Sequence, residues 1–193
     1  QEVCKRLGLE MNYLSPQNFD SLITQVAGGS SMDVAVSSFT INDERAELID
    51  FSDPYFDSNQ AVVTLASATY TAKEQLDDKH VGAQSGTTGE EWVKENLKNS
   101  AYTPYTMPTD ALAALRAGKI QAVVYDSSVA LNQINQDAGT YKLVEEIATG
   151  EQYGIVVSKD NQQLTKDLDK AIAEMQSDGT MDELQQKWFG TTL

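Results

Sequence analysis

Two stretches of this chain share one plan of apolar and polar positions. Residues 18–38, NFDSLITQVAGGSSMDVAVSS, and residues 109–128, TDALAALRAGKIQAVVYDSS, each run as helix, glycine, apolar strand and hydroxyl-rich strand end. Asp20 aligns with Asp110, Leu22 with Leu112 and Gly28 with Gly118. In both helices the apolar residues recur at three-to-four spacing, which predicts one buried face. Each terminal glycine suits a left-handed helix stop. The strands, Val34-Ala35-Val36 and Ala122-Val123-Val124, are near-continuous apolar runs, the pattern of parallel strands covered on both faces. The echo predicts two α/β lobes of like build.

The remaining elements follow from the same reading. Residues 61–65 and 80–84 predict strands, separated by a helical turn at 73–76. A loop of hydroxyls and glycines at 85–89 precedes a helix at 90–97. A strand at 120–125 leads into a helix at 127–134, and a further strand is expected at 153–158. Leu164, Leu168, Ile172 and Met175 form one helical stripe that Ser177-Asp178-Gly179 interrupts. Thr180 then caps a last helix carrying Met181, Leu184 and Trp188. Stripes of this kind read as core, not as cofactor contacts. At the other end Val3, Cys4 and Leu7 fit a short amphipathic helix stopping at Gly8.

Composition narrows the function classes. A chain of 193 residues can bury a real core without staples. With 29 acidic against 14 basic residues, a phosphate-tracking surface is excluded, so nucleic acid is not an expected partner. No apolar run approaches the roughly 20 residues of a membrane-spanning helix. The lone Cys4 permits no intramolecular disulfide and reads as a small apolar residue. His80, the single histidine, has no partner cluster, so neither a metal nor a catalytic triad is expected.

Candidate chemistry concentrates at strand ends. In residues 32–56, MDVAVSSFTINDERAELIDFSDPYF, Arg45 opens a short helix just beyond a strand end bearing Ser37, Ser38 and Thr40. A planar guanidinium beside hydroxyls and loop amides suits a small carboxylate. A surface ion pair of Arg45 with Glu44 or Glu47 is the competing reading. The loop Gln84-Ser85-Gly86-Thr87-Thr88-Gly89 lacks the GK[ST] ending of a phosphate loop. Its amides precede a helix and favour an anion, while Glu90 and Glu91 complement the helix dipole. Asp126 stands where an N-cap is the ordinary role. Phe19 is equally a helix-start core residue or an aromatic wall.

Five segments carry a family resemblance in the family's own order. They are SSFTINDERAELIDFSDPY at 37–55, VGAQSGTTGEEW at 81–92, AVVYDSS at 122–128, EQYGIVV at 151–157 and SDGTMDELQQKWFG at 177–190. Together the chain resembles the polar amino-acid-binding proteins of ABC importers, of the glutamine- and histidine-binding type. The resemblance implies a two-lobed, periplasmic-binding-protein-like α/β fold of type II, its two lobes joined by a two-strand hinge. Carried over, the first lobe is 1–56 with 153–193 and the second is 60–149. The hinge then falls near 55–59 and 149–153. It implies that Arg45 takes a ligand α-carboxylate with the Thr40 amide and Thr88, and that Asp126 pairs with the α-ammonium. Ser37 and Ser38 would offer a hydroxyl or carbonyl, Phe19 would lie against the ligand's apolar part, and Gln84 and Tyr125 would read its side chain.

The implied activity is non-enzymatic. An extracytoplasmic binding protein captures a polar L-amino acid by hinge closure and hands it to a membrane permease, as a monomer and without cofactor. Its place would be the periplasm or the cell exterior, with a lipid anchor as a variant. One departure stands out. The resembled proteins begin with a strand, an Asp–aromatic segment and a GFDxD motif that this sequence lacks before Gln1, so a further segment is expected to complete the first lobe's sheet. Two alternatives share the scaffold: a cyclohexadienyl-dehydratase-like enzyme and a receptor's ligand-sensing domain. The enzyme would need an acid or base aimed at the ligand beyond the two zwitterion clamps.

Overall fold

The structure, a computed structural model, describes residues 1–29 and 31–189. Ser30 of the first repeat and Gly190 of the last motif lie outside the described residues. In chain order the elements are α1 (Glu2–Leu7), α2 (Phe19–Ala27), β1 (Val34–Thr40), α3 (Asp43–Ala46), β2 (Asp50–Phe51) and β3 (Phe56–Leu65). A 3-10 turn (Lys73–Leu76) precedes β4 (His80–Gln84), α4 (Thr88–Asn96), β5 (Ala101–Tyr105), α5 (Pro108–Arg116) and β6 (Ala122–Asp126). The chain continues through α6 (Ser127–Gln136), β7 (Tyr141–Val157), α7 (Gln162–Ser177) and α8 (Thr180–Phe189). It divides into two compact units, Gln1–Asp57 with Glu151–Leu193, and Ser58–Gly150.

In the first unit β1 and β2 both pair antiparallel with the end of β7. The apolar run of β1 predicted a parallel strand; among the described residues its pairing is antiparallel, and Val36 is 60% exposed. Successive residues of β7 face opposite sides, and this period of two makes two cores. Val156 packs with Val26, Phe39 and Ile49 under α2. Ile155 and Val157 pack with Leu168 and Ile172 of α7, against Val3 and Leu7 of α1. Each such fully buried aliphatic side chain contributes about 1.5–3 kcal/mol. Gly8 ends α1 in the left-handed region (φ 65°) as the pattern predicts. At α2 the prediction slips by one: Gly28 stays right-handed and Gly29 makes the turn (φ 62°).

The second unit holds a mixed sheet. Here β6 lies between β3, antiparallel to it, and β4, parallel to it, with β5 parallel on β4's other side. Alternation again divides the core. Ala61, Val63, Val123 and Tyr125 pack with α5, and Val62, Val81, Ala122 and Val124 pack with Val93 of α4. Gly82 is a glycine for lack of room, since a Cβ would sit 2.8 Å from Tyr105 Cε2 and 2.9 Å from Ile120 Cδ1. The repeat's second glycine, Gly118, does take the left-handed stop (φ 70°).

Two further features differ from the sequence expectation. Strand β5 was unforeseen because AYTPY carries a proline and no clean alternation; among the described residues it pairs only with β4, where an edge tolerates Pro104. The segments expected as hinge, 55–59 and 149–153, fall at the start of β3, which has 10 residues, and within β7, which has 17. Trp188 is 68% exposed instead of core. Met181 anchors the start of α8 on the first unit's core, whereas Trp188, two turns on, lies in solvent with Lys187 over its ring.

Candidate ligand-binding site

The register of β1 changes abruptly between its halves. Ala35 pairs with Val156 and Phe39 with Gly154, so four steps on β1 match two on β7. The two surplus residues form a bulge at the Ser37–Ser38 position, and Ser38 sits at φ 55°, left-handed for a residue other than glycine. Such strain costs about 1–3 kcal/mol and concentrates where a side chain or carbonyl must be re-aimed. Ser37 is exposed and Ser38 half-buried.

Beyond the bulge the chain turns into α3, whose N-cap Asn42 accepts from the Arg45 amide (2.9 Å). This short helix carries Arg45 back under β1. Arg45 is only 7% exposed, with Nη1 donating to the Thr40 carbonyl at 2.8 Å. It lies 5.8 Å from the Phe19 ring centroid and 5.7 Å from that of Phe39, two rings stacked on each other at 4.4 Å. A surface ion pair is therefore not its role. Thr40 donates its hydroxyl to Glu151 Oε2 (2.6 Å), which adds an acid that the sequence reading did not single out. The first unit thus gathers Phe19, Phe39, Thr40 and Arg45.

In the second unit the loop before α4 is built by its own side chains. The Thr87 hydroxyl donates to the Gln84 carbonyl (2.7 Å) and caps the helix by accepting from the Glu90 amide. Glu90 does more than complement the dipole, for its carboxylate accepts from the Gly86 amide (2.6 Å) and from Lys94 (2.7 Å). Burial alone would raise its pKa, but Lys94 and the Gly86 amide outweigh it and hold the carboxyl below its ordinary range. The Gln84 side chain donates to the Thr106 carbonyl (3.0 Å).

Asp126 occupies the N-cap position of α6 and makes no side-chain capping bond. Its Oδ1 instead accepts from Gln60 Nε2 at 2.7 Å, and the same nitrogen donates to Thr88 Oγ1 at 3.1 Å. Thr88 and Asp126 are thereby brought together through a residue absent from the sequence expectation. Tyr125 is not with them. Adjacent strand residues face opposite sides, so its ring is 5% exposed in the α5 core and its hydroxyl donates to the Pro108 carbonyl (2.6 Å). Burial pushes that phenol's pKa up. Tyr125 is packing, not a reader of ligand on this face.

Among the described residues no group of three or more His, Cys, Asp or Glu is placed to hold a metal ion, and no helix is long and apolar enough to cross a membrane. The first unit offers a buried cation with hydroxyls, and the second offers a carboxylate with a hydroxyl.

Residues 1–191 match the bacterial extracellular solute-binding proteins, family 3. The chain is 34% identical to the L-cystine-binding protein TcyJ of Escherichia coli K12, over all of this chain and 73% of that protein. It is 28% identical to the ABC transporter arginine-binding protein 1 of the same organism, over 97% of this chain and 77% of the other. Among solved structures, an ancestral arginine-binding protein bound to glutamine superposes with a TM-score of 0.91 at 37% identity, covering 98% of this chain and 84% of that one. The P235GK mutant of ArgBP from T. maritima gives 0.90 at 32%, covering 98% and 82%. The fold is accordingly the periplasmic-binding-protein type II fold.

Proposed function

The chain belongs to the bacterial extracellular solute-binding proteins, family 3, and from that premise we propose that it captures a polar L-amino acid and passes it to the permease of an ABC-type importer. Arg45 binds the α-carboxylate, aided by Thr40, Thr88 and the bulged Ser37–Ser38 backbone. Asp126 binds the α-ammonium, and Phe19 lies against the ligand's apolar carbons. Gln84 contributes to side-chain recognition. The protein works as a monomer outside the cytoplasm, without cofactor, and catalyses no reaction.

The observation that carries this reading is the behaviour of Asp126. Asp126 stands at a helix N-cap without capping it, and a buried amide orients its carboxylate. A dehydratase would require a further acid or base beside the two clamps, a role that would fall to Glu151, which accepts from the Thr40 hydroxyl.

The test is a thermal-shift panel of the common L-amino acids, cystine, prephenate and arogenate. A ligand at 100 times its dissociation constant adds about 2.7 kcal/mol of stability. A shift with one or more amino acids supports the reading. Shifts confined to prephenate or arogenate, with turnover, would replace it with the enzyme.

A further inference from the structure

Gln60 is a fully buried polar side chain in a strand that also buries Ala61, Val62 and Val63. It stands directly across the β3–β6 ladder from Asp126, the two Cα atoms being register partners. Residues so paired put their side chains on the same face at contact distance. Its one amide nitrogen donates to Asp126 Oδ1 (2.7 Å) and to Thr88 Oγ1 (3.1 Å). The amide's orientation is dictated by chemistry, because an ionised carboxylate only accepts and must therefore face the NH2 group. Helix α4 also closes on Gln60, for a Cβ on Gly89 would lie 2.9 Å from Gln60 Oε1 and 3.2 Å from the Val124 carbonyl.

This geometry sorts polarity. A hydroxyl that accepts from Gln60 directs its own proton away from it, towards an acceptor such as a carboxylate. A carboxylate that accepts from Gln60 on one oxygen is held in a single orientation, with its remaining lone pairs suited to an ammonium. The two groups arise on different elements, the start of α4 and the end of β6. Nothing in either element alone would keep them in step.

We propose that Gln60 is a positioning residue for zwitterion recognition: a buried amide that locks Asp126 and Thr88 into one donor–acceptor array. The inference rests on the proposed amino-acid binding. Gln60 itself touches no ligand, so its loss weakens all amino acids to a similar degree instead of changing which is preferred.

The experiment is calorimetric titration of the full chain with L-arginine, L-glutamine and L-cystine, for wild type, Q60M, D126N and the double variant. Thermal midpoints without ligand are recorded in parallel. Methionine keeps the volume and removes the donor; Q60N keeps the amide but is too short to reach both partners, and serves if Q60M does not fold. The expected result is a loss of about tenfold to a hundredfold for Q60M with each amino acid that wild type binds. In the double variant the affinity should fall no further than about threefold below D126N, since Gln60 acts through Asp126. A residue with a merely structural role would lower the midpoint and leave the affinities, or make the two losses multiply. Wild type that binds none of the three overturns both the amino-acid reading and this inference. Wild type that binds, with D126N impaired and Q60M unchanged or fully additive, overturns the role of Gln60 alone.

Discussion

Replacing Arg45 by methionine separates what the guanidinium does for the fold from what it does for a ligand. Methionine retains an unbranched stem beside the stacked Phe19 and Phe39 rings. It removes two cation–π contacts worth about 0.5–1 kcal/mol each, and a charged hydrogen bond to the Thr40 carbonyl worth about 1.5–3 kcal/mol. Against this, it relieves the burial of a charge, which offsets part of the loss. The net destabilisation is about 1–3 kcal/mol, or a lowering of Tm by about 3–10 °C for a chain of this size. Binding should suffer more. Loss of one partner from a desolvated charge pair costs about 2–5 kcal/mol, which is about 30-fold to several thousandfold in Kd. Calorimetry with the amino acid that gives the largest thermal shift reads the second quantity; scanning fluorimetry without ligand reads the first. The reasoning fails if Arg45→Met binds that amino acid with unchanged affinity. It fails differently if Tm is also unchanged, for then the stacked ring pair does not hold the guanidinium.

Gly82→Ala should destabilise the second unit by about 1–3 kcal/mol through overpacking against Tyr105 and Ile120, read as a lower urea midpoint at constant slope; an unchanged midpoint would mean the contact relaxes freely. Glu90→Gln should weaken amino-acid binding about two- to tenfold by loosening the Gly86 amide, with calorimetry as the check and a loss confined to Tm as the contrary result. For Asp178, hydrogen bonds from Thr180 and then Arg6 depress the carboxyl from 3.8 to about 2. Because the folded value lies below the unfolded one, its contribution is present above pH 4 and is lost as pH falls towards 2. Asp178→Asn should therefore be less stable than wild type at neutral pH, with the difference closing across that window; a gap in Tm that stays constant from pH 6 to 2 would refute the linkage.

The periodicity of the chain was enough to place most helices and strands, because each reports a local choice between a 3.6-residue and a two-residue repeat. Strand β4 and the 3-10 turn carry the bounds expected of them, and α4 and α6 begin within two residues of expectation. The α/β fold of type II was also legible, because five motifs keep their family order along the chain. Misses arose where local pattern is weak. Strand β5 carries Pro104, and the first half of β7 interrupts its apolar positions with Lys142, Glu145 and Glu146; both are strands through the partners they find.

The candidate site divides along the same line. That Arg45, Thr88 and Asp126 stand beside strand or helix ends could be read from the residues around them. Where their side chains go could not. Ser38 enters the left-handed region because β1 must absorb two surplus residues against β7, a mismatch that exists only once the strands are paired. Tyr125 and Asp126 are neighbours in the chain yet separate into core and site, since β6 is covered on one face by α5. Gln60 meets Asp126 across 66 residues of sequence, by a register that no local pattern encodes. Hydrophobic periodicity is a property of one segment, and the sequence alone determined it. Burial, register and hydrogen-bond partnership are properties of two segments at once, so only the tertiary structure could decide them.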